Sequence, residues 1–386
     1  MKKIFSVLIL FFFAIKISAQ YNVAHTRISI LTCGPGDELY SLFGHTAIRF
    51  FDSTTNADIV YNWGGFTFDQ PNFYLHFVQG TLLYFSTADN FNDFMYEYVI
   101  DHRNVYEQVL DLDSASKKRI IDAVIFNSTG NNKFYKYDGF IDNCTTRIKN
   151  IVYDNLKTAT ITTNIIPDGT TSRELMHYYL EKGNQLWTEL GLDILVGSEI
   201  DKKVSNDEAM FLPEFFMKGL NNTKYDSKPL VKNFTTILKA DEQQTQSWKY
   251  FPLVTTSAIC LLIFFISTLK TNWSKSVIKF VDVLLLYITG LLGILLLFMW
   301  FATDHIECKN NFNLAWAFPF NFLIAFFMIK KPDWLSNYFF ITAVITAIFI
   351  AVWFWLPQQI NIALLPVVIL LLNRYINLAN NFRRRA

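Results

Sequence analysis

Phe43-Gly44-His45-Thr46-Ala47-Ile48-Arg49, followed far downstream by Asp142-Asn143-Cys144-Thr145-Thr146-Arg147, is the pairing around which the chain is organised. Residues 45–51 read as a strand, and Asp58-Ile59-Val60-Tyr61-Asn62-Trp63 returns across a turn at 52–56 as its hairpin partner. Asp142 stands as the N-cap candidate of a helix running from Cys144 to about Leu156. An imidazole thus opens a strand and a thiol opens a helix. Brought together in space, His45 is a base and Cys144 a nucleophile, the arrangement of covalent acyl transfer. A helix N-terminus favours the thiolate through its dipole and free N–H groups. The N–H of Cys144 itself would serve an oxyanion. A third group should orient the imidazole from the paired strand, where Asn62, Tyr61 and Asp58 are candidates. Asn62 is preferred, because an amide oxygen accepts from an imidazole N–H.

Each residue also has a plain structural reading. A lone helical Cys is more often a small buried hydrophobe, and a lone His on a strand usually supports the fold. Context tips the balance towards chemistry: Gly44 permits close backbone approach beside His45, and Asp142-Asn143 caps the helix that starts at the Cys.

Around this pair, residues 20–220 read as an α+β domain. Residues 27–33 alternate as a strand and Gly34-Pro35-Gly36-Asp37 breaks it. Residues 38–43 suggest a short helix, 81–87 and 105–112 further strands, and 114–126 and 172–181 helices. The polar stretch 221–249 reads as a linker.

Composition adds a membrane part. Of the 386 residues 52% are hydrophobic and only 17% charged, too apolar for an ordinary soluble protein. Net charge is +1, which gives no basic field for nucleic acid. Lys2-Lys3, an apolar run from Ile4 to Ile15, and Ser18-Ala19 describe a secretory signal peptide over 1–19, the alternative being an uncleaved anchor. After Tyr250 five apolar segments follow, at about 251–269, 280–301, 314–329, 338–356 and 360–373. Lys270, Lys275 and Lys279, then Lys330 and Lys331, then Arg374 and Arg383 to Arg385 fall on alternate loops, which predicts a cytoplasmic tail over 375–386. Cys33, Cys144, Cys260 and Cys308 show no CxxC spacing, so no metal or cofactor site is indicated.

Pro35-Gly36-Asp37-Glu38-Leu39-Tyr40-Ser41-Leu42 running into the His45 motif, Tyr61-Asn62-Trp63-Gly64, Asn143-Cys144-Thr145-Thr146-Arg147, Met210-Phe211-Leu212-Pro213, Thr303-Asp304-His305 and Asn311-Phe312-Asn313-Leu314 together carry a resemblance. His on a strand preceding Asn-Cys at a helix start resembles the circularly permuted papain-like fold of the lecithin:retinol acyltransferase-like enzymes. More closely, the chain resembles the Lnb family of bacterial lipoprotein N-acyltransferases. The resemblance implies a periplasmic papain-like domain followed by an all-α domain of five transmembrane helices, in the bacterial inner membrane. It implies His45 and Cys144 as the catalytic pair. It also implies that Cys144 takes an acyl chain from a phospholipid and passes it to the α-amine of a diacylated lipoprotein. The partners are then these two substrates and membrane lipids, with no nucleic acid and no cofactor.

Arg49 and Arg147 are candidates for a lipid phosphate, or for surface ion pairs. His305, Asn311 and Asn313, in the exported loop between the second and third spans, either hold a substrate head group or cap helix ends. Cys33 and Cys308 are both exported and able to pair, although burial of Cys33 as a free thiol suits its strand better. His76, His102 and His177 show no ligand spacing and read as structural. Two other functions remain open: a membrane-anchored cell-wall amidase or endopeptidase, and a non-enzymatic membrane scaffold.

Overall fold

The hairpin expected from 45–63 forms and sits at the middle of a seven-stranded antiparallel sheet. β1 (Thr26–Cys33) pairs with β2 (His45–Asp52), which pairs with β3 (Ala57–Gly65). The computed structural model describes residues 21–38, 40–240, 248–330 and 332–384. The expected signal peptide, Lys331 and Arg385 lie outside them. After α1 (Phe73–Gln79) come β4 (Leu83–Asn90), α2 (Phe91–Ile100) and β5 (Val105–Leu110). Then follow α3 (Ser114–Ser128), β6 (Phe134–Lys136) and α4 (Cys144–Asn155). A small second sheet holds β7 (Thr160–Ile161), β8 (Thr223–Tyr225) and β9 (Lys228–Pro229). Between β7 and β8 lie α5 (Ser172–Lys182), α6 (Leu186–Leu195), α7 (Asn206–Ala209) and α8 (Pro213–Asn221). β10 (Val231–Leu238) completes the main sheet, in the order β10-β5-β1-β2-β3-β4-β6.

Each face of the sheet is covered by different helices, and strand alternation decides which side chain goes where. Ile48, Phe50 and Trp63 pack with Ile120, Ile148 and Cys144 of α3 and α4. Ala47 and Val60 pack with Phe94 and Tyr98 of α2 on the other side. Gly44, immediately before β2, has φ +79, and a Cβ there would lie 2.6 Å from the Cys33 carbonyl oxygen. Only glycine tolerates both conditions.

Two expectations change. Residues 221–249 are not a plain linker, because 223–238 supply β8, β9 and the edge strand β10. Val231, Thr235, Thr236 and Ile237 are β-branched, and Lys232 and Asn233 leave the exposed edge polar, which is how edge strands avoid unwanted pairing. The stretch before Gly44 forms turns rather than a helix, with the Ser41 and Gly44 N–H groups donating to the Glu38 and Ser41 carbonyls.

The C-terminal part is helical and apolar. It holds α9 (Phe251–Thr268), α10 (Asn272–Phe301), α11 (Asn321–Lys330), α12 (Leu335–Ala351) and α13 (Leu365–Arg383). Among the described residues three helices are long and apolar enough to cross a membrane: 251–268, 272–301 and 362–383. α11 and α12 are apolar but shorter. α11 is shortened because Pro319 and the turns of 312–320 take up the chain before it. Inside this bundle Asn321 donates to Thr289 and Tyr375 and accepts from Tyr338, and Arg374 grips Asp282 at 2.7 and 3.1 Å. Polar groups among apolar helices are thus satisfied by one another, as a lipid surrounding requires.

Candidate active site

The sulfur of Cys144 is buried at the first residue of α4, and its position is fixed by the helix cap. The cap is Asn143 rather than Asp142. Its side-chain oxygen accepts from the N–H groups of Thr145 and Thr146 at 2.8 and 2.9 Å, while its own N–H donates to the Thr146 hydroxyl at 2.7 Å. The amide nitrogen of Asn143 donates in turn to the carbonyls of Gly139 and Phe211. That last bond explains the Met210-Phe211-Leu212-Pro213 stretch: it locks the cap from the other side, with Pro213 opening α8. Of the N–H groups that a helix start leaves over, this box satisfies all but that of Cys144 itself among the described residues. Asp142 instead makes a two-pronged ion pair with Arg147, at 2.7 and 2.8 Å.

The imidazole of His45 lies close enough to this thiol for its charge to act on it. Burial alone pushes a thiol up. At Cys144 the charge of His45, its hydrogen bond, the Thr46 N–H and the Thr145 hydroxyl together outweigh burial and bring it down to about 7. The contrast within one chain is informative. Cys33 and Cys308 are also buried, and there burial prevails, at Cys33 over Tyr98 and the Arg103 charge, and drives each up to about 12. All four cysteines are free, so Cys33 and Cys308 are not bridged. Beside the ring, β3 shifts register between Trp63 and Gly65, and Gly64 adopts φ +113. Such bulges commonly re-aim a strand next to an active site.

Asn62 does not join the pair. It is opposite Ala47 in the register, and its side chain is taken up by the neighbouring strand β4. Its amide donates to Thr87 at 2.9 Å and Asp89 at 3.1 Å. Among the described residues no third side chain is hydrogen-bonded to the His45 ring. What the sequence reading missed lies close to the sulfur. Tyr135 and Tyr137 sit near enough for its charge to act on their hydroxyls, and Thr145 bonds Thr46 across the helix–strand contact at 3.0 Å. The alternation Phe134-Tyr135-Lys136-Tyr137 just upstream of Asn143 is the signal that held this information.

The substrate-binding candidates prove to be engaged elsewhere. Arg49 is buried, clamps Asp58 at 2.7 and 2.6 Å, bonds Glu107 at 3.1 Å and stacks on Phe91. Arg147 is tied to Asp142 and lies over the Tyr135 ring at 3.9 Å. Asn311 donates to the carbonyls of Ile194 and Leu195, and Asn313 to those of Asp193 and Ile194. These are the carbonyls that the end of α6 leaves over, so both residues cap a helix. His305 bonds Glu307 at 2.9 Å and reaches the Phe77 carbonyl; the Glu307 bond is the main cause that raises its pKa.

A separate cavity of about 600 Å³ lies between α5, α6 and residues 353–363, with His177, Glu189 and Asp193 on its wall. Their ligand atoms lie within 4.8 Å of one another. His177 is therefore placed beside carboxylates that its sequence spacing did not reveal. Asp193, however, already accepts from Arg173 at 2.6 Å, His177 at 2.9 Å and Asn361 at 2.8 Å. A guanidinium on the same oxygen makes this a buried ion-pair network rather than a free cation site.

Comparison with known proteins gives two family-model matches, one for each part of the fold. Residues 14–175 match the Lnb N-terminal periplasmic domain, and residues 243–385 match the Lnb transmembrane domain. No curated protein and no solved structure matches the chain. The first match covers the elements carrying His45 and Cys144; the second covers all five apolar helices. A sheet domain that matches the periplasmic model, followed by apolar helices that match the transmembrane model, makes this chain a member of the Lnb family.

Proposed function

We propose that the protein is a lipoprotein N-acyltransferase using Cys144 as nucleophile and His45 as base. The observation that carries this reading is the Cys144 thiol brought down to about 7 beside His45, at a capped helix start, while other buried thiols of the chain go up. A thiolate near neutral pH suits attack on an ester, and a membrane-tethered domain meets membrane-embedded substrates at high effective concentration.

His45 takes the thiol proton, and the sulfur attacks the acyl carbonyl of a phospholipid. The oxyanion is met by the spare N–H of Cys144. The C–O bond breaks, His45 returns the proton to the leaving oxygen, and a lysophospholipid departs. The α-amine of a diacylglyceryl-cysteine lipoprotein then attacks the thioester. It loses a proton through His45 as the C–S bond breaks, and the thiol is restored. The reading takes the sheet domain as a circularly permuted papain-like domain, supported by the order of His strand and Cys helix. It takes all five apolar helices as spans with the tail in the cytoplasm, supported by the alternation of basic loops.

The test is a reporter lipoprotein expressed with this protein in cells lacking their own N-acyltransferase, examined by mass spectrometry. An added acyl chain that is lost in Cys144→Ala and His45→Ala is expected. Unchanged lipoprotein together with altered cell-wall peptides would replace this reading with an amidase.

A further inference from the structure

We propose that α1 is embedded in the exported leaflet of the membrane, and that the aromatic side chains behind it guide the donor's acyl chain to Cys144. The second half of this statement rests on the acyl-transfer reading; the first half does not.

α1 is seven residues long, Phe73-Tyr74-Leu75-His76-Phe77-Val78-Gln79, and only Phe73 is buried. Tyr74 is 77% exposed, and Leu75, Phe77 and Val78 are exposed beside it, with Phe68 on the preceding loop. A surface of this kind on a folded domain calls for an apolar partner.

The fold says which one. The uncharged stretch of α10 runs from Val283, after Asp282, to Phe301, 19 residues. At about 1.5 Å per residue it spans about 28 Å, close to the ~30 Å hydrocarbon core. Trp300 and Phe301, whose rings stack at 5.0 Å, therefore mark the exported boundary, where aromatic side chains gather. Three residues on, the Asp304 N–H donates to the Gln79 carbonyl at 2.8 Å, and the His305 ring reaches the Phe77 carbonyl. Lys136 of β6 binds Asp304 at 2.8 Å. Gly80, with φ +69, would place a Cβ 3.3 Å from that same His305 ring, so the contact depends on glycine. Three residues of chain reach at most about 11 Å. The C-terminus of α1 is thus tied inside the interfacial layer of the bilayer.

From this helix a run of rings leads inward. Phe77 stacks on Phe73, Phe73 on Phe66, and Phe66 lies 5.3 Å from Tyr84. Tyr84 stacks on Tyr137 at 4.6 Å, and both pack against the core cluster that contains Cys144. An acyl chain leaving the leaflet at α1 finds apolar faces along the whole way to the thiol.

The test uses the full chain in lipid nanodiscs. A fluorescent label on Leu75→Cys, in a Cys144→Ser background where the other cysteines are buried, is expected to lose at least half its emission with brominated phospholipid. A label on Lys118→Cys of α3 is the reference and should change little. No quenching at position 75 overturns the membrane seat, whatever the protein's activity. For the path, Tyr84→Asp should cut acylation of the reporter at least tenfold while alkylation of Cys144 by iodoacetamide keeps its rate. Unchanged acylation overturns the path. If the unsubstituted protein transfers no acyl chain, the reading of function has failed, while the quenching result stands by itself.

Discussion

On the proposed reading, the reactivity of Cys144 is set by one neighbour and one cap, and both should leave measurable marks. With the thiol at about 7, its alkylation rate should rise along a titration centred near pH 7, well below the range of an ordinary cysteine. In His45→Ala only burial and the two remaining hydrogen bonds act, so the midpoint should move upward by more than a unit. An unmoved midpoint would show that His45 does not hold the thiolate. The sign for stability follows from the same shift: a group depressed on folding stabilises fully above its unfolded pKa, and that contribution is lost as pH falls through about 7. Asn143→Ala removes the acceptor for two helix N–H groups, and should cost about 1–2 kcal/mol in a denaturation midpoint. The strand start at His45 and the capped helix start at Cys144 were legible because each is a local pattern that sequence displays. Asn62 misled because a hairpin shows which residues pair, but not which side chains of the next strand will take up an amide, here Thr87 and Asp89 of β4.

At the scale of elements, charged residues that looked available for substrate turn out to join strands. Arg49 reaches from β2 to Asp58 on β3 and Glu107 on β5, and Ser29 of β1 donates to the same Glu107. Removing the cation would leave Asp58 without its partner and Glu107 with Ser29 and a more distant Arg27, and breaking a buried pair typically costs about 3–5 kcal/mol. Arg49→Ala should therefore lower the urea midpoint of the purified protein. A phosphate-binding role would predict normal stability and a raised KM for phospholipid instead. The role of β10 was hidden for a related reason. An edge strand needs only β-branched residues on a polar background, and such a segment resembles a linker until the strand it pairs with is known. The apolar helices, by contrast, announce themselves, because a lipid surrounding demands a continuous run that no loop imitates.

The whole molecule depends on how its two parts are joined, and the join is built from amides. The carbonyls at the end of α6 accept from Asn311 and Asn313, and the next, of Val196, accepts from Gln358. Asn361 reaches Asp193 at 2.8 Å, and the Phe312 N–H donates back to Gln358 at 2.6 Å. Loops between the apolar helices thus finish a helix of the periplasmic domain, which ties the domain that carries Cys144 to the helical part. No periodicity records such a contact, since each partner is a single polar residue in a loop. Gly197 is its tightest point: a Cβ there would come within 1.9 Å of the Lys309 carbonyl oxygen. Backbone cannot yield by that much without parting, so Gly197→Ala should loosen the join without touching the sheet. Hydrogen exchange measured by mass spectrometry is expected to quicken at least tenfold across the last turn of α6 and residues 305–313. Peptides from β1, β2 and β3 should exchange as before, and the alkylation profile of Cys144 should keep its midpoint near 7. Protection unchanged at α6 would mean that the amides do not hold the two parts together.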